Sequence, residues 1–275
     1  MEGLAFYYRD FYDGLGEESM DTLFGSTGAV YGDRIGLVLK HSQPSSWLDV
    51  GCGHGHMLAH ARRRIPGVRL AGLDQGDVVE TALARGWADE AHRGFFPAHA
   101  SSLRGRYDVV SMSHYLEHTP APETEIAAAH TVLKPGGHLL IEVPDPDSPL
   151  MPLLGRWWFA WFQPQHIHVY NTINLAALLR KSGFEPVEWE TRGVNPPNDL
   201  GLAFSLMVNA VAPNVYFPWR SRPSWLAKLC HGVLRLFGVF FVAMGFVLDH
   251  LISPIAGRMH HSSNFRVIAR RVGLD

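Results

Sequence analysis

The feature of the sequence that most constrains its fold is an apolar run that leads into three alternating glycines. The run is Trp47–Val50, and the glycines are Gly51, Gly53 and Gly55. Glycine adopts positive φ easily and has no Cβ, so a turn built this way lets a ligand lie against the backbone. Ligands of open α/β sheets bind at the carboxyl ends of the strands, where this turn falls. The segment therefore predicts a buried strand, a ligand-binding turn and a following helix.

The rest of the chain alternates short apolar runs with helical stretches, which predicts a doubly wound α/β sheet. The predicted strands are bounded by Gly, Pro or Asp and comprise Trp47–Val50, Val68–Leu73, Tyr107–Met112, His138–Val143, Pro186–Thr191 and Phe265–Arg270. The predicted helices are Met57–Arg64, Val78–Arg85, Pro122–Leu133 and Thr172–Ser182. Asn171 or Thr172 is expected to cap the last helix, and Gly183 to end it.

The charge, the cysteine count and the N-terminal sequence argue against a nucleic-acid-binding protein and against a secreted one. Lys and Arg number 24 and Asp and Glu number 26, so a formal net charge of -2 gives no electrostatic footprint for nucleic acid. The two cysteines, Cys52 and Cys230, make no disulfide scaffold, and the N-terminus lacks the basic start and apolar run of a signal peptide. We therefore expect a cytoplasmic protein, with peripheral membrane contact left open.

We divide the chain into a helical N-terminal cover at residues 1–41, a core at residues 42–194 and 264–275, and a hydrophobic helical insertion at residues 195–263. A connection this long inside a compact domain is usually functional. Its most apolar part, Leu236–Leu248, has 13 uncharged residues, whereas a membrane-spanning helix needs about 20. The run is therefore predicted to be too short to cross a bilayer. A buried core helix, a lid over a substrate pocket, an interfacial helix on a membrane and a homodimer interface remain open.

The glycine turn differs from the dinucleotide fingerprint G-x-G-x-x-G, because position 56 is His. With the segment Asp49-Val50-Gly51-Cys52-Gly53-His54-Gly55, the chain resembles the class I S-adenosylmethionine (SAM) dependent methyltransferases. The likeness extends through Tyr107–Val110 and Leu133–Leu139. His168-Val169-Tyr170, followed by a capped helix and Ser182-Gly183-Phe184, is similar to the subgroup that contains the ubiquinone-pathway O-methyltransferases. The resemblance implies a Rossmann-like, mostly parallel seven-stranded sheet and SAM as the cofactor.

The resemblance also implies a set of cofactor-binding residues. The glycines would wrap the amino-acid part of SAM with support from Asp49, and Asp74 would bind both ribose hydroxyls, since one carboxylate can accept two hydrogen bonds from a vicinal diol. The full predicted set is Asp49, Gly51, Cys52, Gly53, Gly55, Asp74, Gln75 and Ser113. One position departs from the family pattern, because His99 stands where an Asp commonly reads the adenine amino group.

The acceptor side of the predicted site is rich in histidine. His114, Glu117 and His118 occupy the places of an acid-x-x-Glu-His stretch that is associated with divalent metal in the ubiquinone-type relatives. Two imidazoles and one carboxylate suit zinc or iron better than magnesium, and a structural role in shaping the pocket is the alternative. His166, in a loop expected over the acceptor, is a candidate general base because His titrates near neutrality. A buried polar role is equally open for His166, and His114 is the second catalytic candidate.

Apolar surface suggests the acceptor. As a lid over the acceptor pocket, the aromatic cluster and the apolar run would favour a hydrophobic or lipid-like small molecule, because burial of apolar surface is favourable. The residues are Trp157, Trp158, Trp161 and Phe162 and the run Leu236–Leu248. The predicted function is SAM-dependent O-methylation of such an acceptor at a hydroxyl or carboxyl group. Methylation of a sugar in a glycan or glycolipid pathway is the alternative within the enzyme class. A catalytically silent SAM-binding regulatory or scaffold protein is the alternative outside it.

Overall fold

The computed structural model describes residues 28–162, 164–194, 198–212, 224–256 and 262–273. Most of the predicted N-terminal cover, residues 1–27, lies outside these ranges. The rest of it forms helix α1, Gly28–His41, whose buried positions are Val30, Tyr31, Arg34, Ile35, Leu37 and Val38.

Seven strands of the described residues form one sheet in the order β3-β2-β1-β4-β5-β7-β6. Their bounds are Ser46–Val50 (β1), Arg69–Asp74 (β2), Glu90–Arg93 (β3), Tyr107–Ser113 (β4), Leu133–Pro144 (β5), Phe184–Glu190 (β6) and Asn264–Arg271 (β7). Strands β1 to β5 pair in parallel, whereas β7 pairs antiparallel with both β5 and β6. The predicted doubly wound, mostly parallel α/β sheet is confirmed.

The helices that follow α1 cover the two faces of the sheet or extend from it. They are His56–Arg64 (α2), Val79–Ala84 (α3), Phe96–His99 (α4), Pro122–Val132 (α5), Leu150–Leu154 (α6), Thr172–Lys181 (α7), Asp199–Val211 (α8) and Trp225–Ala256 (α9). Three short 3₁₀ turns lie at Leu116–His118, Gly155–Trp157 and Phe159–Trp161. The predicted cap of α7 is confirmed, because the Asn171 side chain accepts a hydrogen bond from the Asn174 N–H at 2.9 Å.

Two local predictions differ from the structure. The edge strand β3 was not among the predicted strands, because its four residues are mainly polar and only half-buried or exposed. Lys134 to Gly137, which lie between a predicted helix and a predicted strand, are part of β5, with an irregular register opposite Tyr107 and Val109. In both cases pairing with a neighbouring strand decides the conformation, and the pattern of single residues does not report it.

The insertion departs most from the prediction. Helix α9 has 32 residues, and Trp225–Ile252 within it is long and apolar enough to cross a membrane, with a mean hydropathy of 1.9 in its most apolar window, of which 11% is buried. The prediction that the run is too short was wrong, because Arg235 and Asp249 do not end the helix. The Asp249 carboxylate is buried and accepts the N–H groups of Leu200 and Gly201 at 3.0 and 2.9 Å. The core-helix interpretation was also wrong, since most of α9 is exposed.

Candidate active site

The glycine-rich turn lies between β1 and α2, at the carboxyl edge of the sheet. Gly51, Gly53 and Gly55 have φ angles of +72°, +50° and +83°, a region in which side chains with a Cβ are strained. A Cβ at Gly51 would lie 2.7 Å from Cδ2 of Tyr115, and one at Gly55 would lie 2.4 Å from Cβ of Ala82. At Gly53 a Cβ would meet nothing within 4 Å. The open side of Gly53 is therefore the surface of the turn on which a ligand can lie.

Asp74 ends β2 next to this turn. Its Oδ2 accepts a hydrogen bond from the Gly53 N–H at 3.0 Å, and its Oδ1 accepts one from the Gly76 N–H at 2.9 Å. A carboxylate has about four acceptor positions, so both oxygens can each accept one more hydrogen bond. The side chain has the chemistry that binding of two vicinal hydroxyls requires, and it lies at the edge of the glycine turn.

Asp49 lies beneath the turn. Its side chain is 5% exposed and accepts a hydrogen bond from Ser111 Oγ at 2.6 Å, while Trp47 Nε1 donates to the same Ser111 oxygen at 2.8 Å. Burial raises the pKa of Asp49 to about 7. The structure therefore places Asp49 in a buried chain of hydrogen bonds that supports the turn from below.

The other predicted cofactor residues surround the same edge. Ser113 ends β4, and its Oγ is buried without a hydrogen-bond partner among the described residues. Burial raises the pKa of Cys52 well above its ordinary value, so the side chain is a neutral thiol. Gln75 is exposed beyond Asp74. His54, within the turn, is a further candidate that the prediction missed, because its Nδ1 is also buried and without a partner in the described chain.

These features fit SAM. The open face of Gly53 provides room for a ligand against the main chain, and Asp74 supplies hydrogen-bond acceptors for a diol. The Ser113 hydroxyl and His54 Nδ1 are buried without a hydrogen-bond partner among the described residues, so a ligand can supply one. His99, where the family commonly has an Asp, contacts the Arg93 carbonyl oxygen at 3.1 Å through Nε2. That contact gives His99 a role in holding the loop after β3.

The acceptor side brings Glu117, His118 and His166 together. The backbone explains how, because the N–H groups of Ile167 and His168 donate to the Glu117 carbonyl oxygen at 2.9 and 3.1 Å. These hydrogen bonds tie the loop after the aromatic segment to the 3₁₀ turn after β4. One ligand atom from each of Glu117, His118 and His166 then lies within 4.8 Å of the other two. The His118 and His166 rings meet edge to face, with centroids 4.5 Å apart.

Carbonyl groups fix the tautomers of both histidines. His166 Nδ1 lies 2.7 Å from the Ala160 carbonyl oxygen, and His118 Nδ1 lies 3.1 Å from that of Gln165. A carbonyl only accepts, so each Nδ1 carries the proton and each Nε2 has a lone pair. Burial lowers the pKa of His166 to about 4 and also lowers that of His118. Both imidazoles are therefore neutral at pH 7 and can accept a proton or bind a cation through Nε2.

His114 belongs to a different cluster. Its Nδ1 lies 3.2 Å from Glu117 and its Nε2 lies 3.0 Å from Glu142. Burial works against its charge, but the hydrogen bonds to these two carboxylates outweigh burial and raise the pKa of His114 to about 9. An imidazolium with both nitrogens donating is neither a general base nor a metal ligand at neutral pH. The structure thus replaces His114 by His166 in the candidate metal set.

The cluster behind His114 was not found from the sequence. Glu142 on β5 is fully buried and binds the guanidinium of Arg34 at 2.6 and 2.8 Å, as well as that of Arg266 on β7. Burial opposes its ionisation, but Arg34 and His114 hold the pKa of Glu142 well below its usual range. Charged residues inside apolar strand patterns were the available signal. Both arginines lie more than 100 positions from Glu142 along the chain, so no local pattern joins them.

Comparison with known proteins agrees with this geometry. The profile of a family described as a methyltransferase domain matches residues 29–188. The chain belongs to this methyltransferase family. The predicted resemblance is thereby confirmed, and the domain is a SAM-dependent methyltransferase domain.

The chain is similar to curated methyltransferases whose names refer to ubiquinone and demethylmenaquinone. A ubiquinone biosynthesis O-methyltransferase of Pectobacterium atrosepticum is 32% identical over 158 residues, which cover 54% of this chain and 65% of the relative. One from Aeromonas salmonicida is 28% identical over 171 residues, covering 60% and 66%. The chain spans less than two thirds of the length of these two relatives. A demethylmenaquinone methyltransferase of Lactococcus lactis is 26% identical over 221 residues, covering 65% of this chain and 87% of the relative.

Solved structures share the fold. A SAM-dependent methyltransferase from Archaeoglobus fulgidus aligns with a TM-score of 0.57 at 16% identity, covering 92% of this chain and 98% of that one. The 1,6-didemethyltoxoflavin-N1-methyltransferase of Burkholderia thailandensis, solved with S-adenosylhomocysteine, aligns with a TM-score of 0.52 at 19% identity, covering 98% and 87%. At these identities the likeness establishes the fold alone.

Proposed function

We propose that the protein transfers the methyl group of SAM to a hydroxyl oxygen of a hydrophobic acceptor, and that His166 Nε2 accepts the hydroxyl proton. The observation that carries the proposal is a neutral, buried imidazole with a fixed tautomer, placed beside an ionised carboxylate on the sheet edge that holds the glycine turn. An oxygen nucleophile that carries a proton needs such a base, whereas a carboxylate acceptor does not.

SAM supplies a methyl group that is already activated on a sulfonium. The new oxygen–carbon bond forms as the carbon–sulfur bond breaks, and the electron pair of that bond stays on sulfur to give S-adenosylhomocysteine. The acceptor proton passes to His166 Nε2, while the Ala160 carbonyl keeps hold of Nδ1–H. Burial opposes ionisation of Glu117, but the hydrogen bond and charge of His114, together with the neighbouring His118 and His166, outweigh burial and lower the pKa of Glu117. The Glu117 carboxylate can therefore stabilise the imidazolium that forms.

The walls next to His166 support a hydrophobic acceptor. Phe162 lies edge to face against the His166 ring, with centroids 5.3 Å apart, and Phe159 lies 5.5 Å from Phe162. Half-buried aromatic rings of this kind bind flat apolar rings well. The names of these curated relatives refer to ubiquinone and to demethylmenaquinone, which also favours a phenolic acceptor with an apolar tail over a sugar.

A divalent metal stays a prediction. Two neutral imidazole nitrogens and one carboxylate oxygen suit zinc or iron, and Oε2 of Glu117 is buried without a hydrogen-bond partner among the described residues. Glu117, His118 and His166 would hold such an ion, which would bind the acceptor oxygen and ease loss of its proton. Removal of metal with a chelator, followed by metal analysis, distinguishes this arrangement from the metal-free one.

The test is a methyl-transfer assay with purified protein, SAM and two acceptor panels. One panel contains catechols and phenols with alkyl tails, and the other contains sugars and glycolipids. We expect turnover of the phenolic panel and a fall of about 10²–10⁴-fold in kcat for His166→Gln, the range for loss of a general base, with an unchanged Kd for SAM. His168→Gln, two residues along the same loop, is the matched control and should keep its activity.

Each other outcome identifies an alternative. Turnover of the sugar panel alone would replace the acceptor class. SAM binding by calorimetry without turnover of either panel would favour the silent regulatory or scaffold protein. Full activity of His166→Gln would remove His166 as the base.

A further inference from the structure

The helical hairpin of α8 and α9 carries most of the large apolar side chains that are exposed among the described residues. On α9, Leu236, Phe237, Val239 and Phe240 are 61%, 69%, 64% and 69% exposed. Consecutive positions on a helix point in different directions, so these side chains form a broad apolar surface rather than a narrow stripe. An exposed apolar surface of this breadth marks a site of contact with another protein or with lipid. The principal packing partner of α9 in the described structure, α8, leaves these side chains uncovered.

The two helices approach each other through glycine. A Cβ at Gly245 would lie 2.9 Å from the Cα of Gly201, and a Cβ at Gly238 would lie 2.5 Å from Cγ1 of Val208. Hairpins in water place large apolar side chains between the helices and polar ones outside. Helices in lipid gain nothing from hiding large apolar groups, so they associate through small residues that allow close backbone approach. The hairpin follows the second pattern where Gly201 meets Gly245, and the rings of Phe204, Phe241 and Phe246 pack beside this contact.

Four polar residues of α9 and two glycines lie on one face, and the exposed His250 lies outside this row. The positions Lys228, His231, Arg235, Gly238, Gly245 and Asp249 follow one another at intervals of three, four or seven, which keeps them on one side of the helix. The carboxylate of Asp249 is buried against the N-terminus of α8, where a negative charge is favourable. Among the described residues of the hairpin, the formal charges that are not buried, those of Lys228 and Arg235, are therefore positive.

From these observations we infer that the α8–α9 hairpin is embedded in a bilayer that contains anionic phospholipid, and that it anchors the methyltransferase domain there. The apolar stretch Trp225–Ile252 has 28 residues. At about 1.5 Å per residue it is roughly 42 Å long, longer than the hydrocarbon core of about 30 Å. Lys228 and Arg235 complement negative headgroups.

The base of the hairpin meets the candidate acceptor site, a consequence that rests on the proposed function. Leu200 and Ala203 of α8 belong to the same apolar cluster as Trp158 and Ala160. The Ala160 carbonyl holds the Nδ1–H of His166. A hairpin in lipid therefore brings the acceptor side of the domain to the membrane surface, where a lipophilic acceptor is concentrated.

The experiment is flotation of the full chain with vesicles of phosphatidylcholine alone or of phosphatidylcholine and phosphatidylglycerol at 3:1. The variant is the double substitution Phe237→Glu with Phe240→Glu, which places charge on the exposed face. Ile173→Glu is the matched control, because Ile173 is 75% exposed on α7, outside the hairpin. We expect wild type and Ile173→Glu to float with both vesicles, more strongly with the anionic ones, and the double variant to lose at least ten-fold in bound fraction. Unchanged SAM affinity shows that the double variant is folded.

Three outcomes would overturn the inference. These are wild-type protein that stays in the soluble fraction, equal flotation of the double variant, and a dimer in light scattering that the double variant converts to monomer without any lipid binding. The last result would make a second copy of this chain the occupant. Turnover is measured with a water-soluble acceptor, so that the reaction can be tested independently of membrane binding. Turnover of the soluble acceptor with no flotation would reject the anchor alone, and flotation with no turnover would reject the reaction alone.

Discussion

Substitution of Gly53 by Ala tests the ligand face of the glycine turn. Gly53 has a φ of +50°, and a Cβ there would meet no protein atom within 4 Å. The cost to folding is therefore only that of a left-handed residue with a side chain, about 1–2 kcal/mol. If SAM lies on this face, the added methyl group also occupies ligand space. We expect the Kd for SAM to rise at least ten-fold, equivalent to about 1.4 kcal/mol.

Gly67→Ala supplies the matched control. Gly67 has a φ of +75° and open space beside it, as Gly53 does, but it lies in the turn between α2 and β2, at the opposite edge of the sheet. Both variants should lose the same stability in urea unfolding, and only Gly53→Ala should lose SAM affinity in calorimetry. Equal SAM affinity in the two variants would mean that the open side of Gly53 is not the ligand surface.

Further predictions concern three side chains. Asp74→Asn should raise the Kd for SAM about 10–100-fold in calorimetry, since loss of a charge-assisted hydrogen bond costs about 1.5–3 kcal/mol; Asp77→Asn, exposed three residues later, should leave it unchanged. Glu142→Gln should lower the free energy of unfolding by about 3–5 kcal/mol, because the buried cations around it lose their counter-charge. Glu188→Gln should lower it by less than about 1 kcal/mol, because the ion pair of Glu188 is exposed. Because the folded-state pKa of His166 is lowered to about 4, the unfolded chain binds the extra proton first. Wild type should therefore lose stability relative to His166→Gln as the pH falls from about 6.5 to 4, measured by thermal unfolding, and parallel pH curves would contradict the buried neutral imidazole.

Much of the sheet could be predicted because its signals are local. Strand β1 is buried at every position, and the glycines that follow it are required by the backbone of the turn itself. Asp74 could be placed because it ends the adjacent strand. The edge strand β3 carries no such signal, since its hydrogen bonds to β2 stabilise it in place of apolar burial.

The acceptor side could be predicted only in part. His166 and Glu117 are 49 positions apart, and main-chain hydrogen bonds from the loop after His166 bring them together. The protonation of His114 depends on Glu142, which lies on the neighbouring strand. Helix α9 was underestimated because Asp249 looks like a helix boundary in the sequence, whereas its partners in α8 satisfy it inside the hairpin. Long-range partners, which one sequence does not display, explain each of these differences.

The most direct test is a crystal structure with S-adenosylhomocysteine. We predict that the amino-acid part of the ligand lies on the open face of Gly53, with both ribose hydroxyls about 3 Å from the Asp74 carboxylate and the sulfur facing His166. A ligand that binds elsewhere, or a sulfur that points away from Glu117, His118 and His166, would contradict it.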